Sequence, residues 1–271
     1  DDGLNVVGAS VCYETAATNN GGTGDTGAIS DEECGLKIGL LVDRSNSISV
    51  TEGTKIKNAA KGFVDALNGT PSQISVAQFR KTATQTLGLT SLQNPEGATS
   101  VKNTIDAYTF GTSDSSGSTN WEAAFYSQQA VNASIVVILT DGNPTKRGID
   151  GSGGTGYDDA GGYNIEAGIA RANELKALGK RVIAVGIGDD LSVNNLIAVS
   201  GNIANEDYFT TSFDALGAKL SALATQLCLE DIEEVIVTPV IDISISSFVG
   251  SLYELQSAQL TVNVTNPSEA T

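Results

Sequence analysis

"LLVDRSNSIS", residues 40–49, is an apolar run that ends on an aspartate, with two serines following at alternate positions. The run reads as a buried strand, and Asp43, Ser45 and Ser47 stand where it ends. Two explanations compete for those side chains. They belong to an ordinary strand-to-helix turn with a capping aspartate, or their oxygens converge on a ligand.

Working outward, "LKIGLLVD" is the strand and "TEGTKIKNAAKGFVDALNG" the helix after it, with Ile56, Ala60, Phe63 and Leu67 on one face. "QISVAQFR" and "TATQTLGL" are too close together for an intervening helix, so they read as an antiparallel hairpin at a sheet edge. "EGATSVKNTIDAY" and "TNWEAAFYSQQAV" are expected helices around the polar "GTSDSSGS" loop. "ASIVVILTDG" is the clearest buried strand, and a Gly-rich loop, 142–162, follows it. Next comes a helix with a stripe of Ile165, Ile169, Ala172, Leu175 and Leu178, then the strand "KRVIAVGIG". "DDLSVNNLIAVSG" is a short helix and "DYFTT" a short strand, and a last helix carries Leu216, Leu220, Leu223 and Leu227 on one face. Strands alternating with helices of this length predict an α/β fold: a doubly wound, mostly parallel sheet with helices on both faces. After Cys228 the period changes to two in "VIDISISS" and "AQLTVNVTN", which predicts a small all-β module. Two strands are marginal alone, so that module needs partners from the N-terminal segment, a neighbouring subunit or further chain. The expected layout is an N-terminal extension over 1–33 pairing with the β-rich part, an α/β domain over 34–228, and the start of a β-rich stalk over 229–271.

Composition narrows the function. The 271 residues hold 32 Asp and Glu against 15 Lys and Arg, a formal net charge of −17. Nucleic acid and anionic membrane are poor partners for such a chain, whereas divalent cations and cationic surfaces suit it. No stretch approaches the roughly 18–20 apolar residues of a membrane span. His and Met are both absent, which removes His-based triads and His zinc sites, and no nucleophile–base pair is in view; an enzyme is not expected. A chain starting without Met reads as processed or as an excerpt. The Gly-, Ser-, Thr- and Asn-rich, weakly charged composition points to an extracellular or cell-surface setting. Of three cysteines, Cys34 precedes the first strand and Cys228 closes the last helix. If the domain ends meet, as termini often do, a Cys34–Cys228 bond would fasten them and add roughly 4 to 5 kcal/mol. Cys12 is left for another pairing, and three unlinked buried thiols are the alternative.

In an open parallel sheet, ligands sit at the carboxyl ends of the strands. Asp43 and Asp141 each stand at such an end, and Thr119 opens a helix between them in sequence. Two carboxylates and three hydroxyls suit a hard cation such as Mg²⁺ or Mn²⁺ and not zinc or copper.

"DRSNS" at 43–47, "STN" containing Thr119 and "TDG" containing Asp141 together resemble the three parts of the metal-ion-dependent adhesion site of von Willebrand factor type A domains. Motif order and the strand–helix pattern match over roughly 35–228. The resemblance implies that Ser45 and Ser47 bind the metal directly, Thr119 directly or through water, and Asp43 and Asp141 largely through water. It implies Mg²⁺, with Mn²⁺ or Ca²⁺ as alternatives, bridging to a partner's carboxylate. Some members couple a change at the threonine to sliding of the C-terminal helix, which a disulfide at Cys228 would restrain. "VIDISISS" and "AQLTVNVTNPS" resemble the opening strands of Ig-like stalk repeats of prokaryotic surface proteins. An alternative function is a filament or pilus subunit joined to its neighbours by strand sharing.

Other features have plainer readings. "GSGGTG" at 151–156 matches G-x-G-x-x-G by letters but opens no helix, so it is read as a loop. Asp150, Asp158 and Asp159 are read as solvated loop carboxylates rather than a Ca²⁺ site. Trp121 is expected to pack on the sheet, and Arg44 to reach into solvent.

Overall fold

The computed structural model describes residues 34–111, 118–154 and 162–234. Six strands form one sheet in the order β3-β2-β1-β4-β5-β6: β1 Lys37–Asp43, β2 Gln73–Phe79, β3 Ala83–Ser91, β4 Ile135–Thr140, β5 Arg181–Ile187 and β6 Tyr208–Thr211. All pairings are parallel except β2 with β3, which form the expected antiparallel hairpin at the edge. The helices are α1 Val50–Ala66, α2 Pro95–Asp106, α3 Trp121–Tyr126, α4 Tyr163–Ala177, α5 Val193–Val199 and α6 Leu216–Glu234.

Side-chain alternation along β1 divides the core. Ile38, Leu40 and Val42 face a layer built by α1, α2 and α6, while Leu41 faces the layer of α3, α4 and α5. A sheet covered on both faces needs apolar residues at nearly every position, and β4 is buried throughout. β1 is flanked by β2 and β4, so successive crossovers leave it in opposite directions, and a crevice opens beyond its carboxyl end.

Three elements differ from expectation. α3 stops at Tyr126, because Ser127 turns its hydroxyl back onto the Ala124 carbonyl at 2.6 Å and Gln128 is drawn inside to donate to Gln85 at 2.9 Å. α4 buries Asn164, Gly168, Ala172 and Leu175, with Ile165 and Ile169 only partly covered and Leu178 exposed. The face is rotated because Gly168, lacking a side chain, lets α4 approach Trp121, where a Cβ would sit 3.2 Å from the tryptophan's own Cβ. α6 continues to Glu234, past the expected boundary at 228.

Leu216, Leu220, Leu223 and Leu227 of α6 are buried as predicted. A Cys34–Cys228 disulfide joins the approach to β1 to the last helix, across 194 positions. The β-rich segment, the N-terminal extension and Cys12 lie outside the described residues.

Candidate metal centre

Asp43 is the last residue of β1 and is fully buried. Its neighbour β4 ends on Thr140, so Asp141 emerges beside it. Asp43 Oδ1 accepts from the Ser45 backbone N–H at 2.8 Å, an Asx-type turn that bends the chain over the strand end. Its Oδ2 accepts from Thr140 Oγ1 at 2.6 Å. Ser45 Oγ donates to Asp141 Oδ1 at 3.3 Å and lies 3.0 Å from Ser47 Oγ. Asp43, Ser45, Ser47 and Asp141 are thus joined in one cluster. Both competing explanations of the opening motif apply in part, since Asp43 shapes the turn and the oxygens also converge. The helix cap itself comes from Ser49, in a reciprocal box with Glu52.

Thr119 is buried one residue ahead of the cap of α3. Its backbone is tied to the loop after β4: its carbonyl accepts from Thr145 and Lys146 N–H, and its own N–H donates to Thr145 Oγ1 at 3.1 Å. Thr119 is linked to the Asp141 loop through its backbone, whereas Ser45, Ser47 and Asp141 are linked side chain to side chain and Asp43 joins them through the Ser45 N–H.

Burial pushes the Asp43 carboxyl up to about 7, and the neighbouring Asp141 charge adds to the effect against the hydrogen bonds from Thr140 and Ser45. Burial likewise raises Asp141, opposed by the Ser47 and Ser45 hydroxyls. Two carboxylates crowded in a dry crevice repel each other, and a cation between them would relieve that.

Two contributors escape sequence reading. Thr140 is a lone hydroxyl closing the apolar run "IVVILT"; it holds Asp43 and accepts from Trp121 Nε1 at 3.3 Å. Asn120 is fully buried. Its Oδ1 caps α3 at Ala123 N–H (3.1 Å), and its Nδ2 donates to the carbonyls of Lys81 and Gly148, both at 2.8 Å. Asn120 therefore clasps three loops around the crevice. Its position before a helical run carried the capping signal; the two carbonyls come from distant segments and carried none.

Arg44 departs from expectation. It is half-buried, with Nε on the Thr109 carbonyl at 2.8 Å, Nη1 on Gln78, and its guanidinium 5.6 Å from the centre of the Tyr108 ring. An aromatic wall and a free carbonyl outweigh full hydration for the weakly hydrated guanidinium. Trp121 is buried as expected. Gly151–Gly154 form a loop bridged from Arg147 to Gly153, and Asp150 is held below the usual carboxylate range by the Ser152 N–H and hydroxyl. Asp158, Asp159 and the rest of "GSGGTG" lie outside the described residues. Among the described residues no three His, Cys, Asp or Glu side chains gather as a cation cage. The donor set at β1 and β4 is hydroxyl-rich instead, which fits a hard cation retaining much of its positive field.

The profile of the von Willebrand factor type A domain matches residues 38–222. The chain belongs to this family. No curated protein matches it. Among solved structures, this type A domain is similar to proximal thread matrix protein 1 from the mussel byssus, in a form described as having a zinc-occupied metal-ion-dependent adhesion site. The identity is 23% and the TM-score 0.56, over 73% of this chain and 47% of that one. It is also similar to the pilus adhesin SpaC of Lactobacillus rhamnosus GG (18%, TM-score 0.55, 71% of this chain and 30% of that one). A third likeness is to the von Willebrand domain of the type V pili tip protein Mfa5 of Porphyromonas gingivalis (12%, TM-score 0.55, 73% of this chain and 96% of that one). The chain spans less than half of the mussel and Lactobacillus proteins. At these identities the likeness is one of fold. No described helix is long and apolar enough to cross a membrane.

Proposed function

We propose that the type A domain, taken as 34–228, is an extracellular, metal-dependent adhesion module. Asp43, Ser45, Ser47, Thr119 and Asp141 would hold a divalent cation, Mg²⁺ above all, with Mn²⁺ or Ca²⁺ as alternatives. The observation that carries this reading is the joined cluster of Asp43, Ser45, Ser47 and Asp141 at adjacent parallel strand ends. When bound, the cation would offer a positive coordination position to a partner's carboxylate. The protein's part is to aim hydroxyls that leave the charge largely uncompensated, and to hold Asp43 in place through Thr140. The disulfide supports an oxidising, extracellular location.

A second reading is a subunit of an extracellular filament or pilus, with the 229–271 β-module sharing strands between neighbours and an Ig-like stalk continuing from it. It is favoured by the occurrence of pilus and byssal-thread proteins among structures of this fold.

The test is a calorimetric titration of Mg²⁺ and Mn²⁺ into the chain, into Asp43→Ala and into the milder Ser47→Ala. Saturable one-site binding, abolished by Asp43→Ala and weakened by Ser47→Ala, is expected. A folded wild type that binds neither metal would overturn the adhesion reading and leave the filament subunit.

A further inference from the structure

Alternation along the strands sends Asp43 and Thr140 to one side of the sheet. Leu41 on β1 and Val136 and Ile138 on β4 belong to the layer covered by α3 and α4, and the next side chains on that face are Asp43 and Thr140. Thr140 is fully buried, and its hydroxyl has one proton to give. Two acceptors are in reach, Asp43 Oδ2 at 2.6 Å and the Gly142 carbonyl at 3.2 Å. The shorter bond, to the carboxylate, is also the stronger and takes the proton.

The same hydroxyl oxygen is met from the helix side by Trp121. The chain has a single tryptophan, fully buried as the first residue of α3. An indole N–H can only donate and needs an acceptor when buried; Trp121 Nε1 finds Thr140 Oγ1 at 3.3 Å. Donation therefore runs one way, from the indole to the threonine to Asp43 Oδ2, while the Ser45 N–H holds Oδ1 at 2.8 Å. The plane of the Asp43 carboxylate is fixed at both oxygens. Trp121 follows Thr119 by two residues, so a shift of the start of α3 moves that threonine and the far end of the relay together. Behind the indole stands α4. A Cβ at Gly168 would lie 3.2 Å from Trp121 Cβ and 3.8 Å from its Cε3, so a residue without a side chain sets where the tryptophan sits. Filling the layer requires the ring but not this placement of its N–H.

Resting on the metal-bridge reading above, we infer that Trp121 is a positioning residue for the cation site. It sets the Asp43 carboxylate through Thr140, and the fit of α4 at Gly168 tunes cation affinity from outside the site. The coupling is reciprocal: a cation that fixes Asp43 also steadies Trp121, and a change in the packing of α4 alters cation binding.

The test uses the full chain, with Mg²⁺ affinity read by calorimetry and the single indole N–H resonance followed by nuclear magnetic resonance. Added Mg²⁺ is expected to shift that resonance with the calorimetric midpoint. Replacing Trp121 by benzothienylalanine keeps the ring shape and puts sulfur in place of the N–H. It is expected to weaken Mg²⁺ binding roughly three- to tenfold, short of the roughly 10–100-fold typical when a group bonded directly to a metal ligand is lost. Thr140→Val should fall in that larger range, and Thr140→Ser, which keeps the hydroxyl, should stay near wild type. Gly168→Ala should weaken binding about threefold, although alanine is the better helix former. Wild-type affinity in the benzothienylalanine chain, or an indole resonance that stays in place while Mg²⁺ binds, reduces Trp121 to packing and overturns this inference alone. Wild-type affinity in Gly168→Ala overturns the part assigned to α4. Absence of Mg²⁺ binding to the wild type brings down both this inference and the metal reading.

Discussion

Replacing Asn120 tests whether the crevice is assembled by one side chain. In Asn120→Ala, α3 loses its cap, at a typical cost of about 1 kcal/mol. The carbonyls of Lys81 and Gly148 each lose a 2.8 Å hydrogen bond, worth about 1 kcal/mol apiece. The sum is about 3 kcal/mol, or roughly 6–12 °C in melting temperature for a domain of this size. Asn120→Asp is the sharper variant. It keeps an oxygen for the Ala123 N–H but turns a donor into an acceptor facing two carbonyl oxygens, so its loss should equal or exceed that of alanine. Protonating the introduced carboxyl restores one donor, so the deficit should be larger at pH 8 than at pH 5. Thermal melts under non-reducing conditions, followed by circular dichroism, measure both. An aspartate variant melting within about 2 °C of wild type at pH 8 would refute the clasp.

Reducing the Cys34–Cys228 bond frees a closure of 194 positions and should cost about 5 kcal/mol on the chain-entropy account; denaturant titrations with and without reductant measure it, and a difference below about 1 kcal/mol would contradict the estimate. Asp43, raised to about 7 chiefly by burial, binds protons in the folded state that the unfolded chain has released. Without metal this group therefore lowers stability as pH rises from about 4 to 7, and Asp43→Asn should flatten that part of the melting-temperature profile. Added Mg²⁺ requires the ionised form, so its stabilising shift should grow over the same interval; an equal shift at pH 5 and pH 7.5 would count against Asp43 taking part. Gly97→Ala would place a Cβ 1.8 Å from the Ser91 carbonyl oxygen and should cost at least about 2 kcal/mol. Gly62→Ala, in α1 with open space around it, should gain about 0.5–1 kcal/mol. Chemical denaturation of the two variants checks the contrast.

Strand and helix order, the antiparallel edge and the α6 leucine stripe were legible in the chain because each rests on local periodicity. β4 is apolar at every position because both of its faces are covered, and α6 repeats every third or fourth residue because one face is. The cluster residues were legible for a related reason: a strand end exposes its last side chains wherever the sheet is parallel, so Asp43 and Asp141 announced themselves as carboxylates closing apolar runs. Distant segments meeting in space left no such trace. The short α3 follows from Gln128 turning inward to Gln85, and the rotated face of α4 from how closely Gly168 lets it approach Trp121. Arg44 lies along the Tyr108 and Phe110 rings rather than in water because residues 64 and 66 positions later are folded against it. Asn120 reads as a helix cap from its neighbours alone, and becomes the clasp of three loops only because the sheet order brings Lys81 and Gly148 to either side of it. Local periodicity determined the elements and the chemistry at their ends; tertiary packing decided which polar groups, far apart in the chain, would have to satisfy one another once water was excluded.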